Sequence, residues 1–220
     1  MAIQIQGFLE PRGIIRILQF VFSIVAFATT SGFSVTLEGQ CTNGIKNSET
    51  FHYPFMISNK DICPNYPILL NVSSDCQFFV ATGVLSFLYC IFIIFIYLVK
   101  DELYQSRKEL PMAVCIKILF FLLILNNVNP QDFILTVILA VFWLSGSAAW
   151  SNGASQMKSI TDVNLISNAC KGCTYTIGSF GKLNSSLIVG FLNFFLWTSN
   201  LWFIYKETIW FTKHPITSTA

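Results

Sequence analysis

From Leu187 to Tyr205 the chain reads LIVGFLNFFLWTSNLWFIY, nineteen residues without an Asp, Glu, Lys, Arg, His or Pro. As an α-helix rising about 1.5 Å per residue, this run is roughly 28 Å long, close to the hydrocarbon thickness of a bilayer. Eleven of its residues are Leu, Ile, Val or Phe. Together they favour insertion by about 3–6 kcal/mol, against a cost of about 3 kcal/mol for one charge at the centre of a span. With no charge to oppose insertion, the segment crosses a membrane, and the rest of the chain must be arranged around a bilayer. Composition agrees, at 54% hydrophobic and 11% charged residues, where soluble domains carry about 25% charged. A net charge of +2 without a basic run leaves no electrostatic footprint for nucleic acid. The partners implied are lipids and other membrane proteins.

Three more segments qualify, giving spans at about 17–37, 78–99, 133–150 and 187–205. The first lies between Arg16 and Glu38; a cleaved signal peptide is its alternative, because Ala26-Phe27-Ala28 has the small-x-small form of a cleavage site. Residues 1–16 and 209–220 are the short ends. Loop 38–77 is polar and contains Cys41, Cys63, Cys76 and the run FHYPF, whose prolines and aromatics suggest extended pieces and turns. Loop 151–186 contains Cys170 and Cys173. The connector 100–132 holds a thirteen-residue apolar segment, Ala113 to Leu125, interrupted by Lys117. At about 20 Å it is short for a span and reads as an interfacial or re-entrant helix, or as an extension of the next span; a fifth span is the alternative.

With four spans both termini share a side with the connector. That side carries Arg12, Arg16, Lys100, Arg107, Lys108, Lys117, Lys206 and Lys213, against Lys46, Lys60, Lys158, Lys171 and Lys182 on the other. The bias places the termini in the cytosol. Five of the seven cysteines then fall in the two loops on the oxidising side. A bridge within the first loop is favoured, with Cys41 to Cys63 foremost, and Cys170 to Cys173 is possible; spacing alone fixes no connectivity. Two glycosylation sequences, at Asn71 and Asn184, lie on the same side, each so near a span that at most partial use is expected.

Several stretches resemble the synaptophysin family of four-span vesicle proteins within the MARVEL superfamily. They are EPRGIIRILQFVFSIVAFATTSGF, FHYPF, SSDCQFFVATGVLSFLYC, LPM followed by DFILTVILAVFWLSGSAAW, and GFLNFFLWTSNLWFIYKET. The short tail is similar to that of pantophysin-like members. The resemblance implies an all-α integral membrane fold, a four-transmembrane-helix bundle forming a MARVEL domain over about 17–208, with two disulfide-bearing lumenal loops. It implies residence in cytoplasmic transport or synaptic-like vesicles, homo-oligomers, a cholesterol-rich bilayer and association with a synaptobrevin-type fusion protein. The chain departs from the family in the inserted Ala113 to Gln131, in Asn43-Gly44-Ile45 at the family's first-loop glycosylation position, and in the compressed Cys-Lys-Gly-Cys.

Within the four spans no acid or base is expected, which argues against an ion-coupled transporter or voltage sensor. Asn193 and Asn200 share a helical face with Trp197, and Ala28, Gly32 and Gly146 supply small contact positions; helix packing is the reading favoured, and an oligomeric channel the alternative. Cys170 and Cys173 form a CxxC that could exchange disulfides. No cofactor motif accompanies it, and His52 and His214 lie on opposite sides of the membrane. The function expected is that of a non-enzymatic organiser of sterol-rich, curved vesicle membrane acting in trafficking or exocytosis, without catalytic residues, cofactor or metal. Epitope tags placed between Arg107 and Pro111 and at the C-terminus are expected to be digested together by protease added to sealed microsomes; protection of one alone means that Ala113 to Leu125 crosses.

Overall fold

The computed structural model describes residues 11–59, 66–103 and 128–207. Its elements are, in order, α1 (Pro11–Ser31), β1 (Ser34–Cys41), β2 (Lys46–His52), β3 (Met56–Asn59), β4 (Ile68–Asn71), α2 (Ser73–Leu103), α3 (Val128–Ile160), α4 (Val163–Ala169), β5 (Cys173–Ile177) and α5 (Gly181–Glu207). Ala113 to Leu125, Cys63 and both chain ends lie outside the described residues.

The long helices α1, α2, α3 and α5 each hold a window apolar enough to cross a membrane, so the protein is a mostly helical, four-span integral membrane protein. They close into a ring in which α1 lies beside α2 and α5, and α3 beside the same two. Outward faces stay apolar: Val21 and Val25 on α1, Leu85 and Leu88 on α2, Ile138 and Val141 on α3, and Ile188, Phe195 and Trp202 on α5 are exposed. In water such surface would drive aggregation; against lipid tails it is matched. At about 1.5 Å per residue, the 33 residues of α3 reach roughly 50 Å. That helix therefore carries packing surface well past a 30 Å core.

The surplus supports a cap made from both loops. β1 is the centre of a three-stranded antiparallel sheet of order β2-β1-β5, so one strand of the second loop pairs with the first. Alternation in β1 sends Val35, Leu37 and Gly39 inward and leaves Ser34, Glu38 and Gln40 exposed. Opposite Gly39 lies Tyr175, and a Cβ on Gly39 would stand 2.6 Å from its ring. The glycine thus makes the seat into which Tyr175 folds, and burial raises the pKa of that phenol above its ordinary 10.0. β3 and β4 form a separate hairpin-like pair. FHYPF is the plug between cap and bundle. Phe51 and Phe55 are fully buried, and Phe55, after a cis Tyr53-Pro54 bond, holds φ 59°. That left-handed backbone is strained for a bulky residue. It is held by Phe55 N–H donating to His52 O at 2.7 Å and by the stack of its ring on Trp150, with centroids 5.5 Å apart.

Two expectations are corrected here. The bridge within the first loop does not form: Cys41 is bonded to Cys173, directly opposite it in the β1-β5 register. The physical reason is that both loops supply strands to one sheet, so residues 132 apart in sequence become cross-strand neighbours. The bridge within Cys170-Lys171-Gly172-Cys173 is likewise excluded, since Cys170 is disulfide-bonded elsewhere while Cys173 is held by Cys41. The second correction concerns charge. Arg16, read as a flanking residue of the first span, is only 5% exposed and lies inside the helical ring.

On the chain-entropy account, closing 132 residues stabilises by about 5 kcal/mol. Spans already confined in a bilayer reduce that gain, so Cys41→Ser with Cys173→Ser is expected to cost about 2–3 kcal/mol. Peptide mapping without reductant is expected to recover the two cysteines in one linked species; recovery of Cys41 joined to any other residue overturns the pairing.

Candidate functional site

The inner face of α5 is a single stripe. Ser186, Gly190, Asn193, Trp197, Asn200 and Ile204 recur in steps of four and three residues and all are buried, as a helix facing a core requires. The other helices bring polar side chains to meet it. On α1, Arg16, Gln19, Ser23 and Thr30 are buried; α2 adds Thr82 and Ser86, and α3 adds Thr136 and Ser147. Inside an apolar ring each such group needs a partner, and most have one.

At the cap end Trp150 Nε1 donates to Ser186 Oγ at 3.0 Å, and Ser186 Oγ donates onward to Leu183 O at 2.8 Å. Nearer the middle, Trp143 Nε1 donates to Ser86 Oγ at 2.9 Å, while Phe79 meets the Trp143 ring edge-on at 5.6 Å. Gly190 is where α5 comes closest: a Cβ there would stand 2.6 Å from Phe79 and 2.7 Å from Ser147 Oγ. Towards the other end lies Arg16. Its guanidinium donates to Gln19 Oε1 at 3.1 Å and to Thr136 Oγ1 at 3.5 Å, and sits 5.2 Å from the Tyr89 centroid and 5.5 Å from that of Trp197. Gln19 Nε2 in turn donates to Leu196 O at 3.3 Å. Those two rings are themselves 5.7 Å apart and form one aromatic wall beside the cation, a contact that gains about 2 kcal/mol or more when desolvated. Side chains of all four helices thus meet around one guanidinium.

Four buried atoms along the stripe have no hydrogen-bond partner: Ser147 Oγ, Asn193 Oδ1, Trp197 Nε1 and Asn200 Nδ2. Asn193 Nδ2 returns to Val189 O of its own helix at 3.1 Å, which leaves the amide oxygen unpaired. An unsatisfied buried group costs about 1–3 kcal/mol.

The positions singled out by sequence fall in different places. Asn193, Trp197 and Asn200 face the interior of one chain. Ala28 is exposed on the outside of α1, and Gly32 is exposed in the turn that follows its last residue, Ser31. Gly146 is buried with room to spare, since a Cβ there meets Phe78 and Thr82 only at 3.6 Å. Asn71 accepts from Ser73 N and Oγ at the start of α2. Asn184 accepts from Lys158 Nζ at 2.6 Å, and both asparagines are exposed. Cys63 lies outside the described residues. Sequence reasoning missed Arg16, Gln19, Ser86, Thr136 and the tight contact at Gly190. The steps of three and four from Arg16 through Gln19 to Ser23 were a legible sign that a polar face of α1 turns inward. Nothing in the sequence distinguished Gly190 from Gly146.

The MARVEL model, that of a membrane-associating domain, matches residues 7–126, more than half of the 220 residues. The chain belongs to the MARVEL family. The matched stretch takes in α1, both strand pairs of the first loop and α2. Family membership agrees with the four apolar helices and identifies the protein as membrane-associating.

The two glycines separate close packing from mere small size. Gly190→Ala is expected to destabilise by about 1–3 kcal/mol, whereas Gly146→Ala stays within about 0.5 kcal/mol of the parent. Thermal unfolding in detergent, followed by a thiol-reactive dye that reports exposure of the buried Cys76 and Cys90, checks both.

Proposed function

We propose that this MARVEL protein is a synaptophysin-type organiser of transport or secretory vesicles, working through assembly and lipid contact without catalysis. The observation that carries the reading is the Cys41–Cys173 bridge across the two loops. Such a bridge persists on the oxidising side of a membrane, which supports lumenal loops, cytosolic termini and passage through the secretory pathway. The domain proposed runs over about 17–208. The cap then stiffens the lumenal end of the bundle, while apolar outer faces such as Ile188 and Phe195 present a broad surface to sterol-rich lipid. Ala28, exposed on α1, and Gly32, exposed in the turn just after it, offer small residues where a helix of a second copy can approach closely. A synaptobrevin-type fusion protein is the partner proposed by family resemblance.

The competing chemistries have less support. Asn193 and Asn200 are buried within one chain, so a pore between protomers cannot use them without repacking. Cys170 and Cys173 both carry disulfides, and with Cys173 bonded to Cys41 they do not form a dithiol pair for an oxidoreductase.

Density-gradient fractionation of cells expressing a C-terminally tagged chain is expected to place it with small light vesicles. Membrane-permeant crosslinking there is expected to yield multimers that diminish on cholesterol extraction and on Gly32→Leu. Confinement to endoplasmic reticulum membranes, with a monomer alone after crosslinking, overturns the proposal.

A further inference from the structure

We propose that the bundle binds a file of water molecules along the inner face of α5, running from Ser147 to Asn200. The four unpartnered atoms are not scattered. Three lie on the α5 stripe at Asn193, Trp197 and Asn200, and the fourth, Ser147, abuts the same stripe at Gly190. Asn193 and Trp197 are fully buried, as is Ser147, and Asn200 is 1% exposed. Neither bulk water nor lipid headgroups therefore reach them from outside.

The chemistry of the set selects the ligand. Trp197 Nε1 and Asn200 Nδ2 donate only, Asn193 Oδ1 accepts only, and a serine hydroxyl does either. An anion would satisfy the donors and be repelled by the amide oxygen; a cation would do the reverse. Water donates and accepts, and remains a partner if either amide turns over. Spacing agrees as well. Residues three and four apart on a helix have Cβ atoms about 5–6 Å from each other, so the unpaired groups of Asn193, Trp197 and Asn200 follow one another along a single face. A buried water typically makes about three hydrogen bonds, so each one can join two neighbouring groups of the set and the next water of the file. The file ends at Trp197 and Asn200, beside the aromatic face on which the Arg16 guanidinium rests.

Three tryptophans that are fully buried among the described residues provide the test. Trp143 and Trp150 have their indole N–H groups committed to Ser86 and Ser186, while Trp197 has its own unpaired. The full chain, with ¹⁵N-labelled indoles, is placed in lipid nanodiscs, and each resonance is assigned by a single Trp→Phe replacement. Water-to-indole magnetisation transfer and hydrogen exchange are then measured. The Trp197 indole is expected to exchange at least about tenfold faster than those of Trp143 and Trp150. Replacing both Asn193 and Asn200 by Leu is expected to slow it to their level while leaving the other two resonances in place as evidence of folding. Equal exchange of the three indoles overturns the inference, as does transfer to Trp197 from lipid protons in place of water. A double variant that fails to fold leaves the comparison of the three indoles in the parent chain to decide.

Discussion

β1 is the strand on which the two halves of the chain meet. It pairs with β2 along one edge and with β5 along the other, its inward residues Val35 and Leu37 cover the aromatic plug, and its last residue carries the bridge. Each of those contacts comes from a different part of the sequence. Removing the strand would leave β2 and β5 with no mutual partner, and would uncover Phe51 and Phe55. The α1-to-cap connection and the α3-to-α5 connection are therefore not independent loops but one folded layer, and the ring of helices is closed at that end by backbone hydrogen bonds as well as by side-chain packing.

Beneath the cap the balance of forces changes. Lipid tails are as apolar as leucine, so the helices gain little from burying apolar surface against one another, and association depends on close approach and on polar contacts. Gly190 supplies the first, letting α5 settle against Phe79 and Ser147. Two tryptophan-to-serine hydrogen bonds supply the second, each joining different helices, α3 to α2 and α3 to α5. Arg16 is the strongest instance, a buried charge whose partners include Gln19, Thr136 and the rings of Tyr89 and Trp197. A lysine there would offer a point charge with no planar fork and no flat surface to lay on a ring.

Much of this was legible from residue patterns, and the limits have physical causes. Span number followed from charge-free length, because a bilayer punishes charge so strongly that few other signals are needed. Apolar windows and sheet-forming alternation in Val35, Leu37 and Gly39 are local properties, written within a few residues. Cysteine pairing is not. Cys41 and Cys173 meet only because the second loop donates a strand to the first, a long-range event that spacing does not encode. Arg16 was misplaced for a related reason: one charge near a span end reads as a flank unless the polar residues a turn apart on the same face, Gln19 and Ser23, are weighed with it. Asn193, Trp197 and Asn200 shared a visible helical face, yet whether such a face meets its own chain or another copy depends on how the ring closes.

The distance between the two bridged cysteines also sets a schedule for biosynthesis. Chains lengthen at about 5–20 residues per second, so the 132 residues separating Cys41 from Cys173 take roughly 7–26 s to appear. During that interval β1 has no β5 to pair with and Cys41 no Cys173 to bond, while Cys63 and Cys76, much nearer in sequence, are made first. A nascent chain of this kind is exposed to premature bridging, and the native pair can close only once the second loop has been made and has laid β5 against β1.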